Sequence, residues 1–118
     1  MTVSVYVDGS GSPNGGYGYF VKETGESFYE KQPDITNNQA EYMAIISALK
    51  KFSDSDSDVT IYSDSKNTVS QLNHEFAINN ENLRELAREA WNLIGKFHNL
   101  TITWVPRKEN LAGKMLGS

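Results

Sequence analysis

Residues 59–64 read VTIYSD, and residues 3–8 read VSVYVD. Val59 and Ile61 share one face, with Thr60, Tyr62 and Asp64 on the other. In the same way Val3, Val5 and Val7 oppose Ser4, Tyr6 and Asp8. Strict alternation is the pattern of a half-buried strand. Both strands end in an aspartate that follows a tyrosine-bearing face. If the two strands are parallel neighbours, both carboxylates emerge at one sheet edge. Carboxyl ends of parallel strands are where α/β proteins place ligands.

The chain between these strands allows that arrangement. GYGYFVKE (16–23) and ESFYEKQ (26–32) read as two further strands, with a tight hairpin at Thr24-Gly25. TNNQAEYMAIISALK (36–50) then reads as a helix opening near Thr36–Asn38. Thr36 with Gln39 fits a capping box, and Asn38 is an alternative cap. Glu41 is the one charged side chain between Gln39 and Leu49. A buried carboxylate is costly unless hydrogen bonds, a cation or a metal meet it.

Beyond Asp64 a short helix is expected from about Ser65 to Asn73, and a longer one from about Asn80 to Phe97. Leu83, Leu86, Ala87, Ala90, Ile94 and Phe97 mark the apolar stripe of the second. LTITWV (100–105) is a last strand stopped by Pro106, and the tail could begin one more helix before it ends. Three strands, helix, strand, helices, strand: this order implies an α/β fold, a mixed five-stranded sheet flanked by helices, in one domain over 1–118.

Composition narrows the function classes. The chain of 118 residues has no cysteine, so disulfides and thiolate metal sites are excluded. No apolar run is long enough to span a bilayer, and the start lacks a signal-peptide pattern, so a cytoplasmic monomer without membrane attachment is the default expectation. A net charge of −4 argues weakly against gripping nucleic acid by bulk electrostatics.

Taken singly, Asp8 and Asp64 read as strand-end turn formers. Glu41 reads as an acid in the first helical turn, favoured by the dipole. Taken together, three acids far apart in sequence can converge. Carboxylates that close repel one another, and a divalent cation stabilises them. Hard oxygen ligands without His or Cys suggest Mg²⁺, with Mn²⁺ as a substitute.

VYVDGSGSPNGGYGYF (5–20), TNNQAEYMAIISALK (36–50), IYSDSKNTVSQLN (61–73) and TWVPRKENLA (103–112) together resemble, in order, the motif blocks of type 1 ribonuclease H. The WVPRKEN block is similar to the archaeal or plant-like branch. The resemblance implies the ribonuclease H-like fold and hydrolysis of the RNA strand of RNA–DNA hybrids, leaving 5′-phosphate and 3′-hydroxyl ends. It implies two Mg²⁺ ions on the acids matching Asp8, Glu41 and Asp64, with Asp8 between them. Glu41 would also contact the RNA 2′-hydroxyl. Backbone groups around Gly9, Ser10 and Gly11 would approach the minor groove, which Asn37 would read. Thr36 and Asn38 would hold a phosphate of the DNA strand at the helix N-terminus.

The chain departs from the family at one point. A fourth acid follows the WVP block in a pattern like E-N-x-x-D, and here that position is Gly113. The resemblance therefore implies weaker metal binding and slower turnover, and Gly113 disfavours a helix start there. Most of the family's final helix is also absent. Glu109 is a poor substitute on a flexible segment. Two other readings are a catalytically silent hybrid-binding module and a related nuclease acting on DNA.

Other features read as structural. Asp54, Asp56 and Asp58 mimic a calcium loop, but Val59 stands where glycine is needed, so the run is a solvated linker. GSGSPNGG lacks phosphate-loop spacing. His74 and His98 suit surface or packing roles. Trp91 and Trp104 are assigned to the core, although a tryptophan beside a groove can stack on a sugar or base.

Overall fold

The computed structural model describes residues 2–115. Five strands form one sheet: β1 Thr2–Ser10, β2 Gly16–Val21, β3 Ser27–Lys31, β4 Asp58–Ser63 and β5 Leu100–Trp104. Four helices accompany them: α1 Asn37–Phe52, α2 Lys66–Leu72, α3 Glu81–Ile94 and α4 Leu111–Met115. The strand order is β3-β2-β1-β4-β5. β1 runs antiparallel to β2 and parallel to β4, and β4 is parallel to β5. The sheet is therefore mixed, as the order of elements requires.

The two strands of like grammar are indeed parallel neighbours. Tyr6 pairs with Tyr62 and Val7 with Ser63, so the aspartates that follow lie level at the carboxyl ends. The tyrosine rings stack at 4.7 Å with planes 17° apart. Asp8 and Asp64 come two residues later on each chain, on the same face by alternation.

Val5, Val7, Val59 and Ile61 are buried among Tyr42, Ile45, Leu49, Leu83 and Ala87. Ala40, Ala44 and Ala48 of α1 are fully buried; small residues there let the helix lie close to its neighbours. The stripe of α3 packs as expected through Leu83, Ala87 and Ala90, with Leu86 and Ile94 half-buried. The helix stops earlier than expected, with Gly95 as C-cap, and Phe97 packs on the core from beyond its end. Asp54, Asp56 and Asp58 are all exposed; the linker is solvated, but Asp58 already belongs to β4, paired with Thr2. α4 begins a helix in the tail; residues 116–118 lie outside the described residues.

Two glycines weld the end of β1 to the start of α1. A Cβ on Gly9 would lie 2.4 Å from the Ala40 carbonyl carbon and oxygen. A Cβ on Gly11 would lie 2.3 Å from the Ile35 oxygen. Backbone meets backbone at both places, so no side-chain adjustment relieves the contact. Ser12 N–H donates to Ile35 O at 2.7 Å and closes the seam. Gly9→Ala is expected to destabilise the fold by about 1–3 kcal/mol, the cost of overpacking a tight contact, measured by denaturant unfolding.

Candidate active site

α1 begins where the sequence pattern places it. Thr36 Oγ1 accepts from Gln39 N–H at 3.0 Å, and Gln39 Oε1 accepts from Thr36 N–H at 2.9 Å. This reciprocal box selects Thr36 over Asn38 as the cap. The first turn then ends at Ala40, and Glu41 is the fifth helical residue, not a first-turn acid. The end-of-helix dipole, which fades within a turn, is not what supports it.

Glu41 is placed by contact with β1. Its Oε1 accepts from Gly9 N–H at 2.8 Å. The close passage of Gly9 over Ala40 makes that reach possible. Asp8 is buried, Glu41 is 9% exposed and Asp64 is half-buried. One carboxylate oxygen from each lies within 4.8 Å of the others. Burial pushes the Glu41 carboxyl up to about 8, and the charges of Asp8 and Asp64 and a hydrogen bond with Asp64 push the same way; the Gly9 N–H pulls against them. Three crowded carboxylates with one forced towards neutrality form a donor set that fits a hard divalent cation.

A further side chain completes the site. Asn110 is fully buried. Its Nδ2 donates to Val7 O at 2.8 Å and to Asp64 Oδ2 at 3.1 Å. Its Oδ1 accepts from Ala112 N–H at 3.0 Å. One amide thus ties β1, the carboxylate after β4 and the start of α4. The Ala112 bond is an N-cap contact, and it explains why α4 forms although Gly113 lies within it.

A sequence model of the family described as RNase H matches residues 1–113. The chain belongs to the ribonuclease H family. It is 30% identical to the EbsB protein of Enterococcus faecalis, over 95% of this chain and 88% of that one. The crystal structure of RNase H1 from Halobacterium salinarum is 30% identical, with a TM-score of 0.84, covering 93% of this chain and 89% of that one. LC11-RNase H1, solved in complex with an RNA/DNA hybrid, shares the fold at a TM-score of 0.84 and 23% identity, over 97% and 92% of the two chains.

Against this ribonuclease H fold, the loop residues singled out from the sequence take defined places. Gly11 N–H donates to Asn37 Oδ1 at 2.6 Å. The Gly9 and Gly11 amides are therefore engaged within the protein, while Ser10 between them is exposed. Thr36, Asn37 and Asn38 are exposed at the α1 N-terminus beside this loop, and Thr36 serves as cap. Glu109 is exposed, and Gly113 is buried.

One assignment needs revision. Trp104 is 45% exposed rather than in the core, and its indole N–H donates to the Asp64 main-chain oxygen at 3.2 Å. β5 is an edge strand, which leaves its last residue open to solvent. Trp91 does pack against the core, with His74 stacked on it at 4.9 Å. Asn110 carried a weak signal: an Asn before Leu111-Ala112 fits an N-cap, but nothing in that spacing announces Asp64 as its other partner.

Without divalent ions, the protein is expected to lose stability as pH rises. Glu41 has a folded-state value of about 8 against an ordinary 4.5, so the folded protein holds the extra proton through that window. Stability then falls between about pH 4.5 and about pH 8. Melting temperatures across this range should show the fall, and Glu41→Gln should flatten it. Asn110→Ala is expected to lower stability by about 1–3 kcal/mol by stranding buried acceptors, and to weaken divalent-ion binding by about 10- to 100-fold, read by calorimetry.

Proposed function

We propose that this ribonuclease H cleaves the RNA strand of RNA–DNA hybrids, with Asp8, Glu41 and Asp64 holding two divalent ions, Mg²⁺ or Mn²⁺. The observation that carries the reading is the meeting of these three acids within 4.8 Å at the carboxyl ends of parallel strands. Family membership supports the reaction class, and a hybrid bound to a protein of the same fold supports the substrate.

When bound there, the ions lower the pKa of an attacking water and stabilise the leaving 3′ oxygen. The chain's own residues hold and orient. Asp8 and Asp64 are presented level by the β1–β4 register. Asn110 fixes one Asp64 oxygen and so orients the carboxylate. Glu41, as the carboxylate, would help hold a cation, and Gly9 N–H orients it. Glu41 also faces the RNA 2′-hydroxyl in this reading. Ser10 and Asn37 approach the minor groove, where 2′-hydroxyls mark RNA. Thr36 and Asn38 offer the α1 N-terminus to a DNA phosphate. The reading gives Gly9 and Gly11 backbone approach to the same groove, with their N–H groups held inward.

Gly113 removes the family's fourth acid, and the proposal includes lowered activity for that reason. A shell with one less negative charge binds cations less tightly. The expected result is cleavage of hybrid, not of DNA duplex, dependent on Mg²⁺ or Mn²⁺. Asp8→Asn should reduce it to background, and Gly113→Asp should raise it. Tight hybrid binding without turnover under either metal, unchanged by Gly113→Asp, would replace this reading with a silent binding module.

A further inference from the structure

Three large apolar side chains are exposed among the described residues: Tyr29, Phe76 and Trp104. Single exposed aromatics are ordinary. Two of these three, however, line one groove of about 370 Å³ between α2 and β5, together with Lys66, Ser70, Asn73 and Glu75. One wall of the groove adjoins the residue that carries an acid of the cluster, because the Trp104 indole N–H donates to the Asp64 main-chain oxygen.

Its direction is fixed at both ends. Lys66, the first residue of α2, has its ammonium 5.9 Å from the Trp104 ring centroid. Asn73, just past the other end, donates to Ile102 O at 3.0 Å. The helix thus runs along the groove for about 10 Å, at 1.5 Å per residue. Phe76 stands at the far end, 50% exposed. Lys66 at a helix N-terminus opposes the dipole, and α2 has no acid in its first turn to offset it. The groove therefore has a cation and an aromatic face next to the acids. At its far end it has a second aromatic face beside the Glu75 carboxylate.

We propose that this groove seats an unpaired stretch of the RNA strand that continues past the three acids. One base stacks on Trp104, its phosphate lies toward Lys66, and a following base lies against Phe76. Successive aromatic platforms beside a cation are the means by which single strands are held without sequence preference. Glu75 repels phosphate at the far end, so the base rather than the backbone faces Phe76 there. The proposal rests on the hybrid-nuclease reading for the identity of the strand. It adds a preference for hybrids with a single-stranded RNA extension over blunt ones.

The test compares a blunt hybrid with the same hybrid carrying a short unpaired oligouridine at one end or the other. The expected result is a KM lower by about tenfold for one extension. Trp104→Ala and Phe76→Ala should each bring the KM ratio of extended to blunt hybrid close to one. Trp104→Phe should retain most of the ratio, because a ring remains although the indole bond to Asp64 is lost. Tyr29→Ala, which removes the exposed aromatic outside the groove, should keep the ratio of the unaltered protein. Independently of cleavage, the Trp104 indole N–H resonance of the unaltered protein should shift on adding oligouridine without divalent ions. Equal KM values and an unmoved resonance, with hybrid still cut, would overturn the groove and leave the nuclease. A shifted resonance with no hybrid cut would keep the groove and remove the nuclease.

Discussion

Three carboxylates within 4.8 Å repel one another, and the rest of the structure resists that repulsion. At an effective dielectric of about 20, each ionised pair at this distance costs roughly 3 kcal/mol. The cluster persists because each acid is held by a different part of the fold. Asp8 is carried at the end of a central strand. Asp64 is brought level with it by the parallel register of β1 and β4 and is gripped by Asn110. Glu41 is pressed forward by a helix that Gly9 and Gly11 allow to lie directly on the strand end. None of these supports is local to the acid it serves.

The same arrangement separates the roles of the acids. Glu41 is pushed toward the neutral form, to about 8, by burial and by the charges of Asp8 and Asp64. Asp64 is held through both its side chain and its carbonyl, by Asn110 and Trp104. Through the Trp104 bond it also links the acid cluster to the edge strand β5. A site of this kind depends on preorganisation: the carboxylates are fixed by contacts formed in folding.

How far the sequence reveals this follows from the range of each signal. The strands, the helices and the capping box at Thr36 are local patterns, and they were legible. The pairing of Asp8 with Asp64 was legible because two strands of like grammar flank a crossover helix. The turn occupied by Glu41 depends on whether Thr36 or Asn38 caps the helix, and the sequence admits both. Tryptophan is usually covered, so the sequence alone points Trp104 inward; its place on an edge strand depends on strand order, which local alternation does not encode. Asn110 bridges positions 103 and 46 residues away, and no spacing rule reaches that far.

That long bridge has a consequence for how the molecule comes into being. A chain emerging from the ribosome presents Asp8, Glu41 and Asp64 well before Asn110 is made. Contacts spanning nearly the whole sequence form late, after the entropy of closing the loop has been overcome. Until then Asp64 lacks its clamp and β1 lacks its seal at Val7. The clamped geometry of the three acids is therefore completed only when a loop of 103 residues has closed, so the cluster is assembled with the tertiary fold rather than ahead of it.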